Sequence, residues 1–205
     1  MSVCRPCVSL RVDQQASDGT IVVLSFSASA AGEIYDQAIR LAGPTVSEAS
    51  MDRVWHGTFH TFATRLLQQY SFLGTGLSAF TIADAGDQLA AVEVVMTARG
   101  DKDTTSPRAV LRQIGMWKES GIDALGAIAS AARRADLSTS TTEKVAAAVY
   151  PAYQRQLRTS GRLDFGDLLL DAVKLLRSQP SILNRIRSDL SHVLVDEFQD
   201  TSPIQ

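Results

Sequence analysis

Two short apolar runs, rich in β-branched residues, constrain this chain more than anything else in it. They are residues 21–26 (IVVLSF) and residues 192–195 (HVLV), the second running directly into Asp196 and Glu197. Runs without polar alternation read as strands buried on both faces, and such strands belong to parallel sheets covered by helices. The first run follows the breaker Asp18-Gly19, and Ser27 behind it can cap a helix over 28–41, closed by Gly43-Pro44. A strand over 54–58 and a helix over 59–70, with Phe62, Leu66 and Tyr70 on one face, continue the alternation of an α/β protein.

From Asp84 onward the pattern is helical alone. Asp84 with Asp87 forms a capping arrangement ahead of Leu89, Val92, Val95 and Met96, and Ser106-Pro107 starts a helix that Gly121 stops. An Ala-rich helix over 123–135 follows, then one carrying Val145, Ala148, Val149, Ala152 and Leu157, with Pro151 inside it. An interior proline costs about 3 kcal/mol or forces a kink, so a bend or break is expected there. Asp164 with Asp167 opens a further helix through Leu176, and a helix over 181–189 leads into the final strand. The organisation expected is an irregular leader (1–20), a first α/β part (21–83), a helical insertion (84–163) and a second α/β part (164–205).

At 205 residues, 45% hydrophobic and 20% charged, the chain is long enough for one good core interrupted by an insertion. Its net charge of −2 supplies no bulk pull toward nucleic acid or membrane, so any such contact has to be local. No run approaches eighteen uncharged apolar residues and no basic-then-apolar leader is present, which points to a cytoplasmic protein without a membrane partner. Cys4 and Cys7 form a Cys-x-x-Cys pair, but no second pair completes four ligands, and the pair reads as reduced thiols in the leader.

An acidic pair at the end of a strand suits nucleotide hydrolysis. The first carboxylate can orient a hydrated Mg²⁺ while the second, one residue on, polarises the attacking water. Yet nowhere in the 205 residues does Gly precede Lys, so the phosphate-cradling loop that accompanies such a strand is missing from the sequence.

The longer string DEFQDTSPIQ closely resembles the second motif of the superfamily 1 DNA helicases of the UvrD, Rep and PcrA family. Three other segments are similar to that family in the same order. IVVLSFSASAAGEI resembles its Thr-Phe-Thr-Asn-Lys-Ala-Ala loop, and GTFHTFATRLL its Thr-Phe-His-Ser-Phe-Ala segment. FTIADAGDQLAAV and LDFGDLLLDAV resemble the segments flanking its inserted helical subdomain. The resemblance spans residues 21–205 and implies an incomplete RecA-like parallel sheet core interrupted by an all-helical inserted subdomain.

What the resemblance implies for individual residues is specific. Asp196 helps hold Mg²⁺, Glu197 is the general base, Gln199 senses the γ-phosphate and Asp200 supports them. Phe26 stacks on a base of single-stranded DNA, against the plainer alternative of core packing, and Thr58 with His60 contacts the DNA backbone, unless His60 only orders its turn. The insertion, with eleven basic and nine acidic side chains, approaches duplex DNA at a junction, with Arg108, Arg112, Lys118, Arg133 and Arg134 as candidate phosphate contacts, against the plainer alternative of an ordinary solvated helical surface. Ala28-Ser29 stands where the family has Asn-Lys, removing an amide and a cation from the DNA side.

The expectation is therefore part of the first motor core of an ATP-driven DNA helicase, inactive by itself. It would need further helicase segments, upstream and downstream, or a protein partner. A non-catalytic DNA-binding or regulatory module and a non-functional gene remnant are the alternatives.

Overall fold

The computed structural model describes residues 19–42, 52–101, 105–133 and 140–205. Cys4, Cys7, Gly43-Pro44 and Arg134 lie outside them. The protein is α/β, as the sequence predicts, and divides into two compact units, Met1–Arg65 with Leu175–Thr201 and Leu66–Lys174 with Ser202–Gln205.

The first unit is built on a three-stranded parallel sheet of order β2-β1-β5, with β1 at Thr20–Ser25, β2 at Val54–Thr58 and β5 at Leu190–Val195. The central strand β1 is buried from Ile21 to Leu24, which is why its sequence shows no polar alternation. Ile21 and Val23 pack with Val54 and Leu194 beneath Ile34, Tyr35 and Ala38 of α1 (Ala28–Ala42). Ser27 accepts the Ala30 N–H at 3.1 Å and so starts α1 as expected. Tyr35 also stacks on His56 of β2, with ring centroids 4.4 Å apart.

The last strand departs from expectation. β5 is only partly buried, and Val193 is 52% exposed, because β5 pairs with β1 on one side and with no other strand among the described residues. Its pairing with β1 slips between Thr20 and Ile21, leaving Ser191 in a bulge. Gly19 makes that bulge possible: a Cβ there would stand 2.8 Å from the backbone nitrogen of Ser191. Gly19→Ala is therefore expected to destabilise the first unit by about 1–3 kcal/mol, read as a lower urea midpoint with an unchanged m-value.

The second unit has its own core, formed by α4 (Ala85–Arg99), α5 (Pro107–Glu119), α6 (Ala124–Arg133) and α7 (Thr141–Thr159). Val92, Met96, Val110, Ile114, Ala127, Ala146, Val149, Tyr150 and Tyr153 are buried in it. The expected caps are in place: Ser106 accepts the Ala109 N–H at the start of α5, with Pro107 at its first position. Of the bend or break expected at Pro151, the break does not occur: α7 runs through it as one helix. Six buried side chains, Ala146, Ala147, Val149, Tyr150, Tyr153 and Leu157, hold it on both sides of the proline, and that packing outweighs the proline's cost.

A small parallel ladder closes this unit and was not anticipated. Strand β3 (Thr81–Ile82) pairs with β4 (Arg162–Leu163), the latter inside the stretch read as all-helical. The Thr81 N–H donates to Gly161 O at 3.0 Å and the Ala83 N–H to Leu163 O at 2.8 Å. Each strand runs straight into an Asp-x-x-Asp cap: Asp84 with Asp87 opens α4, and Asp164 with Asp167 opens α8 (Phe165–Ser178). Arg162 of β4 bonds the Asp87 carboxylate, tying one cap to the neighbouring strand.

Candidate functional site

Because β1, β2 and β5 are parallel, their carboxyl ends lie along one edge of the sheet. Ser25 is level with Thr58, and Leu24 with Val195. The residues that follow each strand, Phe26 after β1, His60 after β2, and Asp196 with Glu197 after β5, therefore share that edge. In open α/β sheets this is where ligands bind.

The acidic pair is held by backbone geometry. The Asp196 N–H donates to Leu24 O at 2.9 Å, extending the ladder by one bond beyond the strand. Glu197 then turns into the left-handed region (φ 48°, ψ 46°), the only non-glycine residue among those described with a positive φ. That conformation costs a residue with a Cβ about 1–2 kcal/mol, and such strain concentrates at functional sites. Behind it a single 3₁₀ turn, Phe198–Asp200, carries Gln199, whose amide Nε2 donates to the Glu197 carboxylate. The Asp200 N–H closes the turn onto Glu197 O at 2.9 Å, and the Asp200 carboxylate faces solvent.

On the other two strands the side chains divide between packing and exposure. Phe26 is 43% exposed and touches Phe59 in a tilted pair at 6.0 Å, so it is half packed and half available for stacking. Phe59 itself is buried. Thr58 Oγ1 accepts the Thr61 N–H at 3.1 Å and lies 2.8 Å from Thr61 Oγ1, which gives it a local capping role for α2 (Phe59–Gln69). The sequence held a signal for this partner, a Thr-x-x-Thr spacing across the strand end. Burial pushes the half-buried His60 imidazole below its ordinary value, keeping it neutral at pH 7.

Two features at this edge had no signal in the sequence: the left-handed backbone of Glu197, a residue with no preference for it, and the exposure of Phe198 at 70%. In the second unit Lys118 corrects a sequence expectation. It is 2% exposed and bonded to Asp164 and Asp167, so it cannot reach a DNA phosphate, whereas Arg108, Arg112 and Arg133 are exposed.

The donor set at the edge fits a hard divalent cation. Asp196 and Glu197 offer carboxylate oxygens, and among the described residues no group of three or more His, Cys, Asp or Glu forms a closed cage. Mg²⁺ is commonly held by one or two carboxylates, with water and phosphate oxygens supplying the rest. No helix among the described residues is long and apolar enough to cross a membrane.

Comparison with known proteins gives a consistent result. The sequence matches the UvrD/REP helicase N-terminal domain over residues 8–205. It is 34% identical over 189 residues to the ATP-dependent DNA helicase UvrD1 of Mycobacterium leprae, covering 90% of this chain and 23% of that protein. It is 31% identical over 193 residues to DNA helicase II of Escherichia coli, covering 94% of this chain and 25% of the relative. A probable DNA helicase II homolog of Rickettsia felis is 36% identical over 157 residues, covering 73% of this chain and 22% of that protein. The chain thus spans about a quarter of the length of the curated relatives it matches.

Proposed function

Because the chain belongs to the UvrD/REP helicase N-terminal domain family, we propose that it is part of the first motor core of a cytoplasmic ATP-dependent DNA helicase. In this reading residues 21–83 and 164–205 are the motor core and 84–163 its helical insertion. The observation that carries the proposal is the gathering of Phe26, Thr58, His60, Asp196 and Glu197 along one carboxyl edge of a parallel sheet.

Each residue then has a task. Asp196, anchored through its backbone to Leu24, helps hold Mg²⁺. The metal, when bound with ATP, neutralises charge on the transferring phosphoryl group. Glu197 accepts the proton of the attacking water, and its exposed carboxylate is oriented by the Gln199 amide. Gln199 senses the γ-phosphate, a role its bond to Glu197 supports, and Asp200 supports the turn. Phe26 offers an aromatic face to a base of single-stranded DNA, while Thr58 and His60 face its backbone. The exposed Arg108, Arg112 and Arg133 of the insertion serve the duplex side of a junction.

The sequence holds no Gly-Lys step to cradle phosphates. In our reading the 205-residue chain accordingly hydrolyses no ATP by itself and works with the further motor segments. Single-strand binding tests the DNA half of the proposal. Stacking on an aromatic contributes about 1–3 kcal/mol per base, so Phe26→Ala is expected to weaken binding of a fluorescent oligonucleotide roughly 5- to 150-fold. Equal affinity of variant and parent, at matched salt, would remove Phe26 from the DNA site.

A further inference from the structure

The second unit contains a buried ionic seam that neither ATP nor DNA chemistry uses. Asp164, Asp167 and Asp171 recur at three- and four-residue spacing along the start of α8, and all three are buried. Lys118 of α5 reaches Asp164 Oδ2 at 2.6 Å and Asp167 Oδ1 at 2.7 Å. From α7, the Tyr153 hydroxyl donates to Asp164 Oδ2 and Gln154 Nε2 to Asp167 Oδ1, each at 2.8 Å. Arg158 Nη2 grips both Asp171 oxygens, at 2.9 and 2.7 Å, while its Nη1 donates to the carbonyl of Thr75, the last residue of α3 (Ser71–Thr75).

The charges along this seam do not balance. Three carboxylates meet two cations, leaving one excess negative charge shielded from water, a costly arrangement. Gly166 lets Lys118 in, since a Cβ there would stand 2.6 Å from the lysine Cδ, and the cation also lies 5.4 Å from the ring centres of Tyr150 and Tyr153. Lys174, exposed on α8, acts on Asp171 from the solvent side.

We propose that the seam is a proton-binding latch, taking up one proton on one of its three carboxylates and holding α8 against α7 more tightly when that proton is bound. Asp171 is the carboxylate that takes it. Burial pushes its carboxyl up to about 6, and Asp167 pushes the same way, while Arg158 and the exposed Lys174 pull it down. Lys118 is committed to Asp164 and Asp167, farther up the helix. The Tyr150 and Tyr153 phenols, raised by burial and by the same carboxylates, stay neutral and do not compete for the proton.

The sign is opposite to that of an ordinary salt-bridged aspartate. Asp171 binds its proton more tightly folded than unfolded, so stability falls as pH rises from the ordinary carboxylate range to about 6, and levels off above it. Hydrogen exchange of the α7 and α8 amides in the full chain, corrected for intrinsic rates, reads this directly. The opening constant is expected to be about tenfold larger at pH 7 than at pH 5, as one pH unit below a midpoint near 6 dictates, and Asp171→Asn should abolish the difference. Carboxyl carbon NMR of the unmutated chain should show one aspartate with a midpoint near 6. Equal pH dependence in Asp171→Asn and parent, or every aspartate titrating below 5, would overturn the latch. The titration decides alone if the variant fails to fold.

Discussion

Glu197→Gln, in a polypeptide that joins these residues to a phosphate loop and a second motor core, is expected to lower DNA-stimulated ATP hydrolysis about 10²–10⁴-fold, the usual contribution of a general base. ATP binding should survive, because the amide keeps the size of the side chain and the Asp196 anchor to Leu24 is a backbone bond. The 205-residue chain itself should release no phosphate above its own Glu197→Gln control. Phosphate release above that control would mean that the chain cradles nucleotide without a Gly-Lys loop, and the proposed division of labour would fall. Glu197→Gly separates backbone from chemistry. It relieves the left-handed strain at φ 48°, so the fold should gain on the order of 1 kcal/mol while hydrolysis in the longer polypeptide is lost as completely as in the glutamine variant.

Lys118→Met is expected to cost about 3–5 kcal/mol, the penalty for removing one partner from a buried ion network. The thioether fits the apolar stem's path past Gly166, so the loss reads as charge rather than volume. It leaves Asp164 and Asp167 with the Tyr153 hydroxyl, the Gln154 amide and their reciprocal cap N–H groups, all neutral, and the seam with three carboxylates and one cation. Since whole domains are stable by only about 5–15 kcal/mol, the second unit should become marginal at 37 °C, visible as an early transition in thermal unfolding. Adding Asp164→Asn and Asp167→Asn to the same chain should recover part of the loss. If the triple variant is no more stable than Lys118→Met, the lysine's role is packing, and the ionic account is wrong.

What was legible in the sequence follows the physics of each signal. Strand β1 was readable because burial on both faces suppresses polar residues, and the caps at Ser27, Asp84, Ser106 and Asp164 because a polar side chain ahead of a helical stripe has few other uses. The edge character of β5 was not readable, since His192 and Val193 to Val195 spell the same pattern whether one neighbour or two lie alongside. Pro151 does not break α7 because propensity is local, whereas six buried side chains on α7 act through tertiary packing. Lys118 misled for the converse reason: a lone lysine on a helix reads as solvated, and its partners are 46 and 49 residues away. At the candidate site, residue types were recoverable and their common edge followed once the strands were parallel. The backbone of Glu197 was beyond reach because nothing in its type favours it.

The two-residue ladder of β3 and β4 has an architectural consequence. It brings Ala83 and Leu163 within one hydrogen bond, 2.8 Å, although eighty residues separate them. A stretch whose two ends already touch behaves as a cassette. Closing a short replacement turn between them differs in entropy from closing the long one by only about 0.6 kcal/mol per doubling of length. Twin Asp-x-x-Asp caps mark both borders of that cassette with the same local device, two reciprocal bonds within four residues. Any exchange of the helices between them has to carry along Lys118, Tyr153, Gln154 and Arg162, which bond those cap carboxylates, so the cassette and its borders change together.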